Sequence, residues 1–466
     1  MRPLPGLDAK FLYSETPTAH MHTVKVAVFD MSGVESHSFD DVVRLLERRL
    51  DRLPPFRRRA VPVPLALGHP VWVEDPDFDI QHHVTCRTVD APGGDRQLAA
   101  VVADVAGAPL PRDRPLWELV VVEGLRGQRL AVVAKVHHAL ADGATTVALL
   151  QQALSPRDTP AIDAWQSEPL PTGRTLLRLA AAGHHRNLRA LPALVARSVD
   201  GARDAAKSRR QAEVRPPMPF ATPRTPINVS LSPARTFAMT TLPLDELKEV
   251  RRAFGVTLND VFLAVCSGAL RTYLLGLGAL PKRSLVASVP VGTRADGPVG
   301  GGNHVDNLYV SIATECDDPV ERLRRISCVA SSAKAVRAAL GNELMAQRAE
   351  VVPPQLYQLS IRAWTRSRLA DRVRPPVNVI LSNVAGPQER LHIGGAELEA
   401  LYSVGPILEG IGCNITAWSY AGTLQVSVLG CPRSLPDPWL VAEGLSDALG
   451  ELTEAARRSA GTGAAR

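Results

Sequence analysis

The stretch that decides the fold is RLAVVAKVHHALADGATTVALL, which runs from Arg129 to Leu150. Its first part is rich in apolar, β-favouring residues and predicts a strand, with Trp117–Val122 as its antiparallel neighbour. The pair His137-His138 then leads into small and polar residues, which predict a sharp turn. The apolar residues after the turn predict a helix. A strand, a turn and a helix in this order indicate an α/β fold, where strand ends often carry the chemistry.

The histidine pair has two readings at this point. Neighbouring side chains of a strand point to opposite faces, so His137 and His138 cannot both face one pocket. A neutral imidazole suits a general base near pH 7. Asp142 is close enough to shape the same turn, and Gly143 permits a backbone angle that other residues resist. A turn with satisfied polar groups explains the same residues, so a catalytic site and a structural turn are equally open.

Length and composition bound the class of protein. The chain has 466 residues, enough for a large core and about two or three domains. Hydrophobic residues make up 45% and charged residues 21%, which excludes global disorder. No apolar run approaches the roughly 18 residues that span a bilayer, and we expect no secretory signal. The six cysteines are scattered without a CxxC pair, which fits reduced thiols in a cytoplasm and predicts neither a disulfide framework nor a zinc site.

The basic residues are concentrated in one segment. The whole chain has a net charge of +6, whereas Gly173–Arg215 holds ten basic and three acidic residues, a net charge of +7. The segment also has helical spacing, interrupted at Pro192, so we expect one or two basic amphipathic helices. A solvated linker is the commoner meaning of such a charge run, and contact with an anionic surface is the alternative. The leucines that could insert into such a surface are Leu176, Leu177, Leu188, Leu191 and Leu194.

Three parts of the chain differ in pattern. Residues 1–155 predict a first α/β unit that contains the histidine turn. Residues 156–235 open with a Pro-, Asp- and Ser-rich stretch and close with many prolines, which is typical of a crossover linker. Residues 236–466 predict a second α/β unit, with a strand at Leu401–Val404 among its elements.

The motifs together resemble a known family. HHALADG matches the HHxxxDG signature of coenzyme A-dependent acyltransferases, and the surrounding chain resembles bacterial wax ester synthases / acyl-CoA:diacylglycerol acyltransferases. The resemblance spans most of the chain, and the motifs occur in the family's order. The other blocks are LDAKFLYSETPTAHMHT (Leu7–Thr23), RPLWELVVVEGL (Arg114–Leu125), TLNDVFLAVCSGALRTYL (Thr257–Leu274), SVPVGTR (Ser288–Arg294) and LSNVAGP (Leu381–Pro387).

The resemblance implies a fold and a reaction. The expected fold is α/β, with two domains like those of chloramphenicol acetyltransferase and a tunnel between them. The expected reaction moves a long-chain acyl group from acyl-CoA, a co-substrate, to diacylglycerol or a long-chain alcohol, without a cofactor or a metal. The expected location is cytoplasmic, attached peripherally to the inner membrane face or to lipid droplets through residues 173–215. No nucleic acid is expected as a partner.

The same resemblance implies roles for the histidine turn. His138 would be the general base that takes the proton of the attacking alcohol, and His137 would support it. Asp142 would orient the loop rather than polarise the base, and Arg294 is its expected partner in a rigid ion pair. A backbone N–H near Gly143 is one candidate for the oxyanion donor.

Two further motifs have weaker implications. Asn259 and Asp260 begin a predicted helix, and capping explains both residues without catalysis. The resemblance makes them supports of the active site, with Asn259 as a second candidate for the oxyanion donor. Pro115, Leu116 and Trp117 are implied to pack around the tunnel.

Three alternatives stay open from the sequence. One is a catalytically silent lipid-surface protein of the same fold, although the intact HHALADG argues against it. Another is a condensation-type acyltransferase that uses a carrier-protein thioester with the same base. The third is a metal hydrolase using His137, His138 and Asp142, which is disfavoured because adjacent strand residues diverge.

Overall fold

Two six-stranded sheets form the framework, and a three-stranded sheet lies beside them. The structure is a computed structural model that describes residues 1–34, 39–50, 53–140, 169–292, 305–340, 344–393 and 395–464. The strands are β1 (Arg2–Pro3), β2 (His22–Asp30), β3 (Arg58–Val61), β4 (Val71–Glu74), β5 (Val84–Thr88), β6 (Trp117–Leu125), β7 (Arg129–His137), β8 (Thr236–Pro243), β9 (Val286–Gly292), β10 (Val305–Ser311), β11 (Val379–Val384), β12 (His392–Ile393), β13 (Ala396–Val404), β14 (Asn414–Tyr420) and β15 (Thr423–Gly430). The helices are α1 (Gly6–Ser14), α2 (Phe39–Leu50), α3 (Asp95–Gly107), α4 (Gly173–Gln211), α5 (Leu244–Phe254), α6 (Leu258–Gly276), α7 (Pro319–Leu340), α8 (Leu344–Val351), α9 (Pro354–Arg366) and α10 (Trp439–Ala464).

The first large sheet carries the histidine pair at the end of a central strand. Its strand order is β12-β13-β2-β7-β6-β5. β7 is antiparallel to β6, as the sequence predicts, and also antiparallel to β2. The register of the second pairing sets His22, the first residue of β2, opposite His137, the last residue of β7. Two histidines from distant parts of the chain therefore lie side by side where these two neighbouring strands begin and end.

One strand crosses from the second half of the chain into the first sheet. β13 contains the predicted strand Leu401–Val404, which was expected to belong to the second unit, yet β13 pairs antiparallel with β2. Most residues of β13 are buried, so this strand needs cover on both faces. Pairing there also removes the open edge that β2 would otherwise present. The two large sheets consequently do not divide at residue 236.

The second large sheet, in the order β10-β9-β11-β14-β15-β8, packs on a helix that is apolar nearly all round. α6 begins after the N-cap Thr257, whose hydroxyl accepts the Asp260 N–H. No membrane-spanning run was expected, but by length and composition α6 is able to cross a membrane. Of its apolar window, 72% is buried inside the protein, which is the situation of a core helix.

The basic segment forms one helix of 39 residues, α4, which continues through Pro192. Of the one or two helices expected, the segment forms one. α4 packs against α7 and α8 instead of crossing solvent as a linker. Leu176 and Leu194 are buried, on either side of the proline, so both halves of the helix are held by packing. These two leucines face inward and cannot insert into a surface, contrary to expectation, whereas Leu177, Leu188 and Leu191 are exposed.

Candidate active site

Backbone hydrogen bonds fix the turn after β7. The His137 N–H donates to the Leu116 carbonyl at 2.9 Å, and the His138 N–H donates to the Met21 carbonyl at 2.8 Å. The Leu140 N–H then donates back to the His137 carbonyl at 2.9 Å. The chain is therefore held from both neighbouring segments at the point where the two histidines leave the sheet.

The two histidine rings lie in different surroundings. The His137 side chain is fully buried. The His138 side chain is half-buried, and its ring stacks on that of Phe11 in α1, with centroids 4.0 Å apart and planes 11° from parallel. Of the pair, His138 is thus the ring with an exposed part, and it packs against α1.

A backbone donor fixes the proton of His137. Its Nδ1 accepts the Ala139 N–H at 3.0 Å, so the proton of the neutral ring is on Nε2. That Nε2 lies 3.4 Å from Oε1 of Glu15. The contact orients the His137 ring. The ring in turn holds the Ala139 N–H, which directly follows His138 in the turn.

Glu15 is the centre of a buried polar cluster. The same Oε1 lies 3.2 Å from Nε2 of His22, and Oε2 contacts the guanidinium of Arg112. His22 meets His137 edge-on, with ring centroids 5.8 Å apart. His20 stacks on His22 at 5.5 Å. The Glu15 carboxylate therefore faces both imidazoles at ion-pair distance.

Burial separates the charge states of this cluster. Burial lowers the pKa of His137 and of His22 to about 4 each. Burial and the nearby Arg235 lower the pKa of His20 to about 4 as well. Burial opposes ionisation of Glu15, but the contacts with His137 and His22 outweigh it and hold the pKa of Glu15 well below its usual range. At neutral pH the carboxylate is charged and the three imidazoles are neutral.

The PLW segment lies beneath the turn. Pro115, Leu116 and Trp117 are all buried, and the Leu116 carbonyl receives the His137 N–H. The Trp117 indole donates to the Phe56 carbonyl at 2.7 Å and stacks on His83 with centroids 4.4 Å apart. Trp117 is thus a core residue, and the segment touches the site through a backbone carbonyl.

The ND pair caps α6. One carboxylate oxygen of Asp260 accepts the Thr257 N–H at 3.0 Å and the Ser327 hydroxyl at 3.1 Å. Asn259 is half-buried in the first turn of α6. These contacts give Asp260 a structural role at the helix start. Asp142, Gly143 and Arg294 lie outside the described residues.

The sequence reasoning missed Glu15, His22 and Arg112. Glu15 lies within the amino-terminal block that carries the resemblance, but nothing local assigns it a function. His20 and His22 are two positions apart, so a strand places them on one face, and this spacing was the available signal. In the part of the chain that the structure describes, no group of three or more His, Cys, Asp or Glu side chains is placed to hold a metal ion.

Comparison with known proteins decides the family. The chain matches the wax ester synthase/diacylglycerol acyltransferase catalytic domain over residues 4–262 and the carboxy-terminal domain of that family over residues 301–453. The chain belongs to this family. A Mycobacterium tuberculosis member, named as a candidate diacylglycerol O-acyltransferase, is 38% identical over 457 residues, which is 98% of this chain and 97% of the relative.

Solved structures agree with the family assignment. The wax ester synthase/diacylglycerol acyltransferase from Marinobacter aquaeolei VT8 superimposes with a TM-score of 0.67 and 28% identity, covering 97% of this chain and 99% of that one. The first condensation domain of the CDA synthetase shares the fold at a TM-score of 0.56 and 17% identity, covering 97% and 96%. The predicted family and two-domain α/β fold class are therefore confirmed.

Proposed function

We propose that this member of the wax ester synthase/diacylglycerol acyltransferase family transfers a long-chain acyl group from acyl-CoA to a lipid alcohol. The acceptor is diacylglycerol or a long-chain alcohol. One observation carries the proposal: His138 is half-buried on Phe11 at the end of β7, beside a His137 whose proton position is fixed. That arrangement offers one oriented imidazole to a reacting group.

The proposed reaction is a direct transfer. His138 takes the hydroxyl proton of the acceptor as the oxygen attacks the thioester carbonyl of acyl-CoA, and a C–O bond forms. The C–S bond then breaks, and the protonated His138 gives its proton to the departing thiolate. Products are an ester and free coenzyme A, and no acyl group becomes attached to the protein.

Positioning of His138 depends on its neighbours. Glu15 holds the His137 ring, and the His137 ring accepts the Ala139 N–H, so the polar cluster supports the turn rather than the chemistry itself. The ion pair between Asp142 and Arg294 is kept as a proposal from the sequence. The oxyanion donor is proposed to be Asn259 or a backbone N–H near Gly143, and the acyl chain to lie in a tunnel between the two halves.

The basic helix α4 supports a membrane location. Both proposed substrates are poorly soluble, so the enzyme has to meet them at an interface. We propose that α4 draws the protein to anionic head groups on the cytoplasmic face or on lipid droplets, at about 1 kcal/mol per basic residue near the surface. Vesicle co-sedimentation tests this proposal with a variant in which five arginines are changed to Gln. If the variant and the unchanged protein bind anionic vesicles equally at low salt, the proposal is contradicted. Those residues are Arg186, Arg189, Arg197, Arg209 and Arg210.

The decisive experiment offers both acceptors in parallel. Radiolabelled acyl-CoA is incubated with diacylglycerol or with a long-chain alcohol, and products are separated by chromatography. A second arm replaces acyl-CoA by a radiolabelled acyl carrier-protein thioester as the donor. His138→Ala serves as the inactive enzyme and His392→Ala, an exposed histidine, as the matched control. Transfer that is lost in the first variant and kept in the second supports the proposal. If neither acceptor yields an ester, the result favours the catalytically silent lipid-surface protein. If ester forms only with the carrier-protein thioester as donor, the result favours the condensation-type reaction.

A further inference from the structure

Exposed leucines from two separate segments lie on one side of the molecule. Leu65 lies in the turn before β4 and is 83% exposed, whereas Leu356 and Leu359 lie on the outer face of α9 and are each 65% exposed. The side-chain amide of Gln355 donates to the Leu65 carbonyl at 2.9 Å. The turn and α9 are therefore joined directly, and we call Leu65, Leu356 and Leu359 the leucine tips.

The exposed side of α4 borders the same surface. His184 of α4 contacts the Leu67 carbonyl at 2.6 Å, and Leu188 and Leu191 share its helix face because they follow at intervals of four and three residues. A groove of about 590 Å³ between α4 and α8 continues this surface, and Leu191, Val195 and Val351 are in its wall. A groove lined in this way is suited to an acyl chain.

The turn that carries Leu65 is held in an uncommon conformation. Leu65 and Ala66 both have left-handed backbones, with φ of 56° and 51°. Residues with side chains resist this region, and an exposed leucine gains nothing from water. A strained turn that presents a leucine outward is explained if the leucine is buried by something outside the protein.

The charges around the leucine tips indicate an anionic lipid bilayer as the occupant. α4 carries nine basic and two acidic residues. Residues 354–374, which cover α9 and the segment after it, hold one acidic residue and five arginines. Apolar tips carried by basic segments are the pattern of a surface that inserts shallowly among anionic head groups. The arginines are Arg362, Arg366, Arg368, Arg372 and Arg374.

This surface is one helix away from the histidine turn. The inner side of α9 packs on α1, where the Tyr357 hydroxyl lies 3.0 Å from the Ser14 hydroxyl, and Lys10 lies 6.0 Å from the centre of the Tyr357 ring. In the same helix, Phe11 stacks on the ring of His138. A lipid that leaves a bilayer at the leucine tips therefore needs to pass only α1 to reach His138.

We propose that the leucine tips insert into the apolar layer of an anionic membrane and seat the α1 edge of the protein on it. The acceptor alcohol then moves from the bilayer to His138 along α1 without crossing water. The identity of the travelling lipid rests on the proposed function, whereas insertion of the tips does not.

The binding test compares two triple variants in vesicle co-sedimentation. One changes the tips, as Leu65→Gln with Leu356→Gln and Leu359→Gln. Its matched control changes Leu275, Leu277 and Leu440 to Gln, which are 51%, 51% and 53% exposed in the second half of the chain. Burial of a leucine corresponds to about tenfold or more in partitioning, so the tip variant is expected to bind phosphatidylglycerol-containing vesicles at least about 100-fold more weakly. The control variant is expected to bind like the unchanged protein, and equal binding of the two variants would overturn the proposal.

A second measurement reports insertion itself. Tryptophan placed by Leu356→Trp is expected to be quenched by lipids brominated in their acyl chains, whereas Leu277→Trp is not; equal quenching of the two overturns insertion. Transfer to vesicle-embedded diacylglycerol should fall with the tip variant, while transfer to a water-soluble short alcohol is kept. An unchanged protein that transfers to no acceptor refutes the proposed function, and the binding comparison still decides the insertion.

Discussion

The change Glu15→Gln tests whether the polar cluster positions His138. Gln keeps the size of the side chain and one acceptor oxygen but removes the charge that faces His137 and His22. The side chains of His137 and His22 are 0% and 2% exposed, so neither ring N–H has water as an alternative acceptor. Arg112, at 43% exposure, is solvated without the carboxylate. The loss therefore concerns the two histidines far more than the arginine.

The size of the effect follows from those two donors. A buried donor left without an acceptor costs about 1–3 kcal/mol. Glu15→Ala removes the carboxylate that faces both rings and should lower the free energy of unfolding by about 1–3 kcal/mol, whereas Glu15→Gln keeps one oxygen there and should cost about half of that. A turn displaced by even 1 Å should reduce kcat by about 10–100-fold, with little change in KM for acyl-CoA.

The control is Glu74→Gln. Glu74 has the same side chain and nearly the same exposure, 16% against 15%. It accepts from Arg58 at 2.9 Å and faces Arg57. Urea unfolding followed by tryptophan fluorescence gives the stability of each variant, and steady-state kinetics at 25 °C gives kcat and KM. Equal kcat for the two variants, or unchanged kcat with Glu15→Gln, would refute a positioning role for Glu15.

Three further outcomes are expected. His138→Ala should lose about 10²–10⁴-fold in activity and stay folded, whereas His137→Ala should mainly lose stability; circular dichroism and kinetics check this, and the reverse order contradicts the assignment. Because His137 binds its proton only near pH 4 when folded but near pH 6.5 when unfolded, it alone should lower the free energy of unfolding by about 2 kcal/mol between pH 7 and pH 4.5. His20 and His22 shift in the same direction and add to this fall, which urea titration at the two pH values measures; a flat profile contradicts it. Gly6→Ala puts a Cβ 2.5 Å from the Ala349 carbonyl carbon, so it should shift α1 and cost about 1–3 kcal/mol as well as activity, whereas Gly33→Ala, with open space around it, should cost neither.

Local patterns in the sequence predicted the elements that depend on neighbouring residues. The hairpin of β6 and β7, the helix α6 and the turn at His137 follow from apolar periodicity and from residues only a few positions apart. The pairing of β13 with β2 depends on which edge a buried strand can cover, and periodicity carries no information on that choice. The continuation of α4 through Pro192 depends on packing against α7 and α8, which outweighs the local preference of proline.

At the candidate site, too, local sequence patterns do not predict the contacts between distant segments. HHALADG identifies His138, but the motif does not contain the groups that orient it. Phe11, which stacks on the ring, lies in α1, and Glu15, which faces His137, directly follows this helix. Both are far from the motif in sequence. The same helix contacts α9 through Ser14, on the side of the leucine tips. One short helix thus touches the proposed base, ends beside the carboxylate proposed to support it and borders the proposed lipid surface, so a displacement of α1 on membrane contact would reach His138 through direct packing.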